Sequence, residues 1–141
     1  MKSQQRMAVV LGAADGLTLA LSELIGLRLH QSAIFSAGLS AGLGELVGMA
    51  AALWLSSESK SSFLAAAACG SATLLACVLP CIPYAITGGA TALLIASVIG
   101  IALGAGVCWL RPEKGFKAIA ETYGVLIAAG VLCYTATVIR I

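Results

Sequence analysis

Five runs of about 20 mostly apolar residues, parted by breaks too short to hold more than a turn, dominate this sequence. They cover 7–29, 33–55, 63–84, 88–110 and 118–139, and each is long enough to cross the hydrocarbon of a bilayer as a helix. The breaks are polar or turn-forming: His30-Gln31-Ser32, residues 56–62 (Ser-Ser-Glu-Ser-Lys-Ser-Ser), Thr87-Gly88-Gly89, and residues 111–117 (Arg-Pro-Glu-Lys-Gly-Phe-Lys). Nothing remains from which to build a soluble domain. The chain therefore reads as a single transmembrane domain, an all-α integral membrane bundle of five helices in a lipid bilayer.

Composition agrees. Of the 141 residues 60% are apolar and only 10% charged, whereas a soluble domain carries about 25% charge. A small soluble globule has a high surface-to-volume ratio and would need polar cover that this chain lacks. A soluble enzyme, a coiled coil, a secreted disulfide framework and a disordered binder are excluded, and no catalytic set is expected. The net charge of +2 is too small for a nucleic-acid surface, and an aromatic content of 6% offers no stacking platform. Cys69, Cys77, Cys81, Cys108 and Cys133 are odd in number and all lie in apolar runs, so they are expected free, as small hydrophobes. Cys77 and Cys81, one turn apart, signal a soft-metal pair only weakly. Lys2 and Arg6 before an apolar run resemble a signal peptide, but Asp15 and Glu23 interrupt that run, so it is expected to be a retained helix.

Loop charge predicts orientation. Lys2, Arg6, Lys60, Arg111, Lys114 and Lys117 fall on one side, and Arg28 and Arg140 on the other. Basic loops stay in the cytoplasm, so the amino terminus is expected there and the carboxyl terminus outside. Trp54 and Trp109 then mark cytoplasmic ends of spans, and Tyr84 an outer end.

Three carboxylates inside the first two spans carry the functional signal: Asp15, Glu23 and Glu45. A charge at a helix centre costs about 2.5–3.5 kcal/mol on insertion scales, or roughly 8–10 kcal/mol for all three together. Such residues mark ion or proton pathways, unless they pair with Arg28 or sit protonated as packing groups. Asp15 and Glu23, eight residues apart, lie about 80° apart around the helix, loosely on one face. Glu45 and Met49 are four apart and adjacent on one face, and antiparallel spans put Asp15 and Glu45 at similar depth. Oxygen ligands with a thioether favour a softer divalent ion such as Fe(II), although a methionine there serves equally as core filler.

Small residues surround these acids. Gly12/Gly16, Gly38/Gly42, Gly44/Gly48 and Gly100/Gly104 are spaced for close helix approach, and around Asp15 and Glu45 they place the first two helices in the interior of an assembly. Asp15-Gly16 is a candidate for local unwinding. Pro80 and Pro83 are expected to end the third span before a Gly88-Gly89 turn.

The residues also resemble a known family. Asp15-Gly-Leu-Thr18 lies in the first span, and Ser36-Ala-Gly-Leu39 opens a Gly/Ala-rich second span that runs through Met49 to Trp54-Leu-Ser-Ser-Glu58. Leu79-Pro-Cys-Ile-Pro-Tyr84 closes the third, and the last contains Ala120-Glu-Thr-Tyr-Gly-Val-Leu-Ile-Ala-Ala-Gly130. Together, over nearly the whole chain, they resemble the vacuolar iron transporter family. The resemblance implies five spans, a homodimer, and exchange of ferrous iron or manganese for protons. It places Asp15 and Met49 on the metal route. The family's second-span glutamate falls at Ala41, and Glu45, one turn nearer Met49, is its displaced substitute. Ala20 stands where the family has a proline. The glutamate-rich cytoplasmic domain of larger members is reduced to 56–62, with Glu58 its sole acid, so the chain would be a minimal membrane core.

The expected function is thus transport of Fe2+ or Mn2+ coupled to proton antiport. Asp15, Glu45 and Met49 would be ligands and Glu23 the proton relay, with the metal as substrate and no cofactor. A two-fold dimer pairing first spans would face two Asp15 and two Glu45 together. The expected location is a cell membrane in a prokaryote or a vacuolar-type membrane in a eukaryote. The alternatives are a proton-coupled exporter of organic cations, disfavoured by the aromatic-poor spans, and a non-transporting assembly subunit whose acids pair with a partner's bases.

Overall fold

In lipid every backbone N–H and C=O must find a partner within the protein, which leaves the helix as the natural form for these apolar runs. A computed structural model describes residues 3–55, 62–113 and 115–139, and among them there is no strand. The helices are α1 (Ser3–Gly26), α2 (Gln31–Leu55), α3 (Ser62–Val78), α4 (Pro83–Ile86), α5 (Gly89–Leu110) and α6 (Phe116–Ile139). A 3₁₀ turn, Leu79–Cys81, joins α3 to α4. Five stretches are long and apolar enough to cross a membrane: Ser3–Gly26, Gln31–Leu55, Phe63–Ile86, Gly89–Leu110 and Phe116–Ile139. The protein is an all-helical, multi-pass membrane bundle.

Several expectations need correction. The first span begins earlier and ends at Gly26, not residue 29, because Leu27–Leu29 form a turn in which the His30 N–H donates to the Leu27 carbonyl at 2.7 Å. The prolines end the α-helix of α3, at Val78, but not the third span. Pro80 and Pro83 each sit at the first positions of a new short helix, where a missing N–H leaves no bond unmade. The span runs on to Ile86, and Gly89, at φ +63°, makes the turn into α5. Nor does Asp15-Gly16 unwind: α1 is continuous helix on both sides of it.

The third span is the axle of the bundle: 50% of its apolar window is buried, against 6% for the fifth span. Cys69, Thr73, Cys77 and Cys81 recur every four residues along it, forming one column with 0% exposure at each position. α1 docks on one side of that column through Gly12 and Gly16, and α2 on the other through Gly38 and Gly42. A Cβ at Gly12 would overlap the Cys69 carbonyl, and one at Gly16 the Thr73 carbonyl. Gly70 receives the Leu46 carbonyl in the same way. The glycine faces of α1 and α2 therefore serve α3 rather than each other. Gly44 meets nothing within 4 Å and Gly48 only its own helix's Glu45, so that sequence pair does not bring helices together; of Gly100/Gly104 only Gly104 does, against the Tyr123 ring of α6. All the cysteines are free. The Cys77 thiol donates to the Gly38 carbonyl at 3.4 Å and that of Cys81 to the Cys77 carbonyl at 3.3 Å.

Polar clasps close the two ends. At one end Arg6 donates to the carbonyls of Leu110, Trp109 and Arg111, the last two at 3.2 and 3.5 Å. Those are the acceptors that a helix C-terminus leaves unpaired, and the cation also suits the helix dipole there. Arg111 binds Thr122 at 3.2 Å and the Glu121 carboxylate, and Lys117 bridges Glu113 and Glu121 at 3.6 and 3.7 Å. At the other end Gln31 Oε1 accepts the Gly89 N–H at 2.8 Å, capping α5 from another helix. Replacing Arg6 by Ala is expected to destabilise the bundle by about 1–2 kcal/mol, read as a lower melting temperature in detergent, with Arg6→Lys intermediate.

Candidate functional site

Gly12 and Gly16 turn one face of α1 onto α3, and Asp15, lying between them in sequence, is carried to the edge of that contact. Gly12 lies against Cys69 and Thr73, while the Leu46 carbonyl lies against Gly70. Asp15, three residues past Gly12, and Glu45, next to Leu46, are thus at one depth. The depth match expected from antiparallel spans is present. Glu45 is within Coulombic reach of Asp15, and Cys77 is within reach of Asp15, Glu45 and Glu23 alike.

The Asp15 Oδ2 atom is buried and has no hydrogen-bond partner among the described residues. A buried carboxylate oxygen ordinarily has one. Thr18 does not serve: its hydroxyl donates to the Asp15 backbone carbonyl at 2.7 Å. None of the three acids forms an ion pair among the described residues. In particular, the pairing with Arg28 is not made. Arg28 turns to α6, donating to Thr137 Oγ1 at 3.3 Å with its guanidinium carbon 5.0 Å from the Tyr134 ring centroid.

Met49 packs on the cluster formed by Ala8, Ala65 and Cys69, one turn along α2 from Glu45. Glu23 lies eight residues beyond Asp15, about 12 Å further along the axis, in reach of Cys81. The residues therefore follow the α3 column in order: Met49 by Cys69, then Asp15 and Glu45, then Glu23 toward Cys81. Asp15 and Glu45 thus share a depth on the two helices that flank α3, and Glu23 lies about two turns further along α1. No three His, Cys, Asp or Glu side chains among the described residues come close enough to hold a metal ion. One chain offers two carboxylates and a neighbouring thioether, not a closed cage.

Sequence reasoning missed Thr73, which donates to the Cys69 carbonyl at 3.0 Å in the column facing α1. The signal was its place midway between Cys69 and Cys77 at four-residue spacing. It also missed the Arg6 clasp, for which the sequence has no local mark, because the acceptors lie more than 100 residues away.

The fold and these acids define a class: a five-span helical membrane protein with carboxylates at a shared depth in its first two helices that form no ion pair among the described residues. No family model, curated protein or solved structure matches the chain.

Proposed function

We propose that this protein carries a divalent metal ion, Fe2+ or Mn2+, across its membrane in exchange for protons. Asp15, Glu45 and Met49 are the ligands in this reading, and Glu23 relays protons. The observation that carries it is the Asp15 Oδ2 atom, buried without a hydrogen-bond partner among the described residues and at the depth of Glu45, while neither acid forms an ion pair among those residues. Two carboxylates in that position are stable only if they share a proton or accept a cation. A site that alternates between those two states is a site that can exchange one for the other.

Two carboxylates and a thioether leave a divalent ion short of ligands. A homodimer, with the two copies facing across a two-fold axis, supplies a second set. The resemblance to vacuolar iron transporters agrees with this arrangement, and cytoplasmic basic loops would put the amino terminus inside the cell.

The test is uptake of Fe2+ and Mn2+ into proteoliposomes at two pH values. Protons compete for the same carboxylates, so half-saturation is expected at higher metal concentration as pH falls. Glu58, which lies outside the described residues, is a single acid two positions from Lys60 in the sequence. Glu58→Ala is therefore expected to leave half-saturation unchanged. Absence of uptake for both ions, or uptake indifferent to pH, overturns the proposal.

A further inference from the structure

We infer that the seam between α1, α5 and α6 holds an acyl chain of a phospholipid whose phosphate is gripped by Arg28. α5 and α6 meet where the Tyr123 ring lies against Gly104 and its hydroxyl donates to the Ile101 carbonyl at 2.8 Å. Toward the Arg28 end they part, and a cleft of about 440 Å³ opens between them and α1. Leu24 and Ile25 of α1, Leu93 and Gly100 of α5, and Ile127 and Gly130 of α6 line it. Its two hydroxyls are already engaged, Ser97 on the Leu93 carbonyl at 2.8 Å and Tyr123 as above. Water would find no partners in such a slot, so hydrocarbon fills it. From Leu93 to Ile101 the slot runs eight residues, about 12 Å of helix rise. That approaches the depth of one leaflet, half of a core about 30 Å thick.

The charge at the mouth selects the occupant. Arg28 lies in the turn just past the end of α1, three and four residues beyond Ile25 and Leu24, and it touches Tyr134 and Thr137, which continue the face of α6 that begins at Gly130. It makes no ion pair among the described residues. The other described arginine and lysine side chains are engaged: Arg6 on the carbonyls ending α5, Arg111 and Lys117 on Glu113 and Glu121. Arg28 spends one donor on a neutral hydroxyl, while a guanidinium has five and binds a phosphate through two at once. A guanidinium with donors to spare at the end of a hydrocarbon slot one leaflet deep matches a phospholipid and leaves a bare aliphatic ligand without its anchor. The inference does not depend on Asp15 or Glu45, so it stands or falls apart from metal transport.

The test uses the full chain purified in mild detergent, with dioleoylphosphatidylglycerol added in fixed excess and retention read by native mass spectrometry. Wild type is expected to retain the lipid. Arg28→Gln is expected to weaken retention about tenfold. Gly100→Leu, entering space with no atom within 4 Å, fills the slot and is expected to weaken it about as much. Val98→Leu, at a position 66% exposed and outside the cleft lining, is expected to bind as wild type. The two test variants act on opposite ends of the site, so either one that stays folded by circular dichroism decides the matter. Wild type that retains no lipid, or folded variants that retain it unchanged, overturn the inference. A Gly100→Leu chain that loses dimers but keeps its lipid also overturns it, because a helix of a second copy then fills the seam.

Discussion

Asp15→Asn is expected to abolish metal uptake in proteoliposomes while leaving the bundle as stable as wild type or more so. The substitution keeps the shape of the side chain and removes its charge. Among the described residues the buried oxygen of Asp15 has no partner, and Glu45, an acid of like charge, lies at the same depth, so folding gains nothing from its ionised form. An uncharged amide relieves that repulsion and the desolvation of a carboxylate at mid-span. Transport, in contrast, loses both things the carboxylate supplies, a negative ligand for the ion and a base for the proton. Uptake should fall at least about 100-fold, beyond the 10–100-fold typical when only a residue supporting a ligand is lost. Glu45→Gln should follow the same pattern. Glu23→Gln, about 12 Å further along α1, should change the pH dependence more than metal affinity. Normal uptake by both Asp15→Asn and Glu45→Gln removes the site. A melting temperature far below wild type for Asp15→Asn would mean instead that the carboxylate has a structural partner.

The contrast between charge and packing also explains what could be read from the sequence. An acid in a membrane span is conspicuous because almost nothing there is polar, so Asp15, Glu23 and Glu45 stood out from composition alone. Their common depth for the first two followed from antiparallel connection through a short turn. The spans were legible for the same reason, since hydrocarbon thickness sets their length. The partner of each helix was not. Gly38/Gly42 and Gly44/Gly48 have the same spacing on one helix, yet the first pair docks on α3 and the second faces outward. Spacing shows that a face permits close approach but not what approaches it. The decisive surface was the column of Cys69, Thr73, Cys77 and Cys81 on the third span, which reads as four unremarkable small residues until two glycine faces close on it. Pro80 and Pro83 misled for a related reason: a proline that breaks a long helix is also well placed to start a short one.

The same distinction between two sets of glycines leads to the largest stability effect. Gly12→Ala adds one methyl group to α1, and the atom it meets is the backbone carbonyl of Cys69 rather than the end of a movable side chain. A side chain can rotate away, but a carbonyl inside a helix can move only with that helix. The methyl must therefore push α1 and α3 apart, loosening Gly16 from Thr73 and Ala76 one turn further on. Ala8, packed with Ala65 and Cys69 one turn before, is loosened with it. Without a hydrophobic drive between helices in lipid, close packing is what holds such a pair, so its loss is not made up elsewhere. Overpacking of this kind costs about 3 kcal/mol, with Gly16→Ala similar. Gly44→Ala is the control: it adds the same methyl to a position with nothing within 4 Å. It should leave stability unchanged or raise it slightly, since Ala is the better helix former by about 0.8–1.0 kcal/mol. Thermal melts of the three variants in detergent, followed by helical circular dichroism, provide the comparison. Equal losses at Gly12 and Gly44 would mean that helix propensity or detergent, rather than the α1–α3 contact, governs stability. A Gly12→Ala chain as stable as wild type would show that the carbonyl column of α3 is not what α1 rests on.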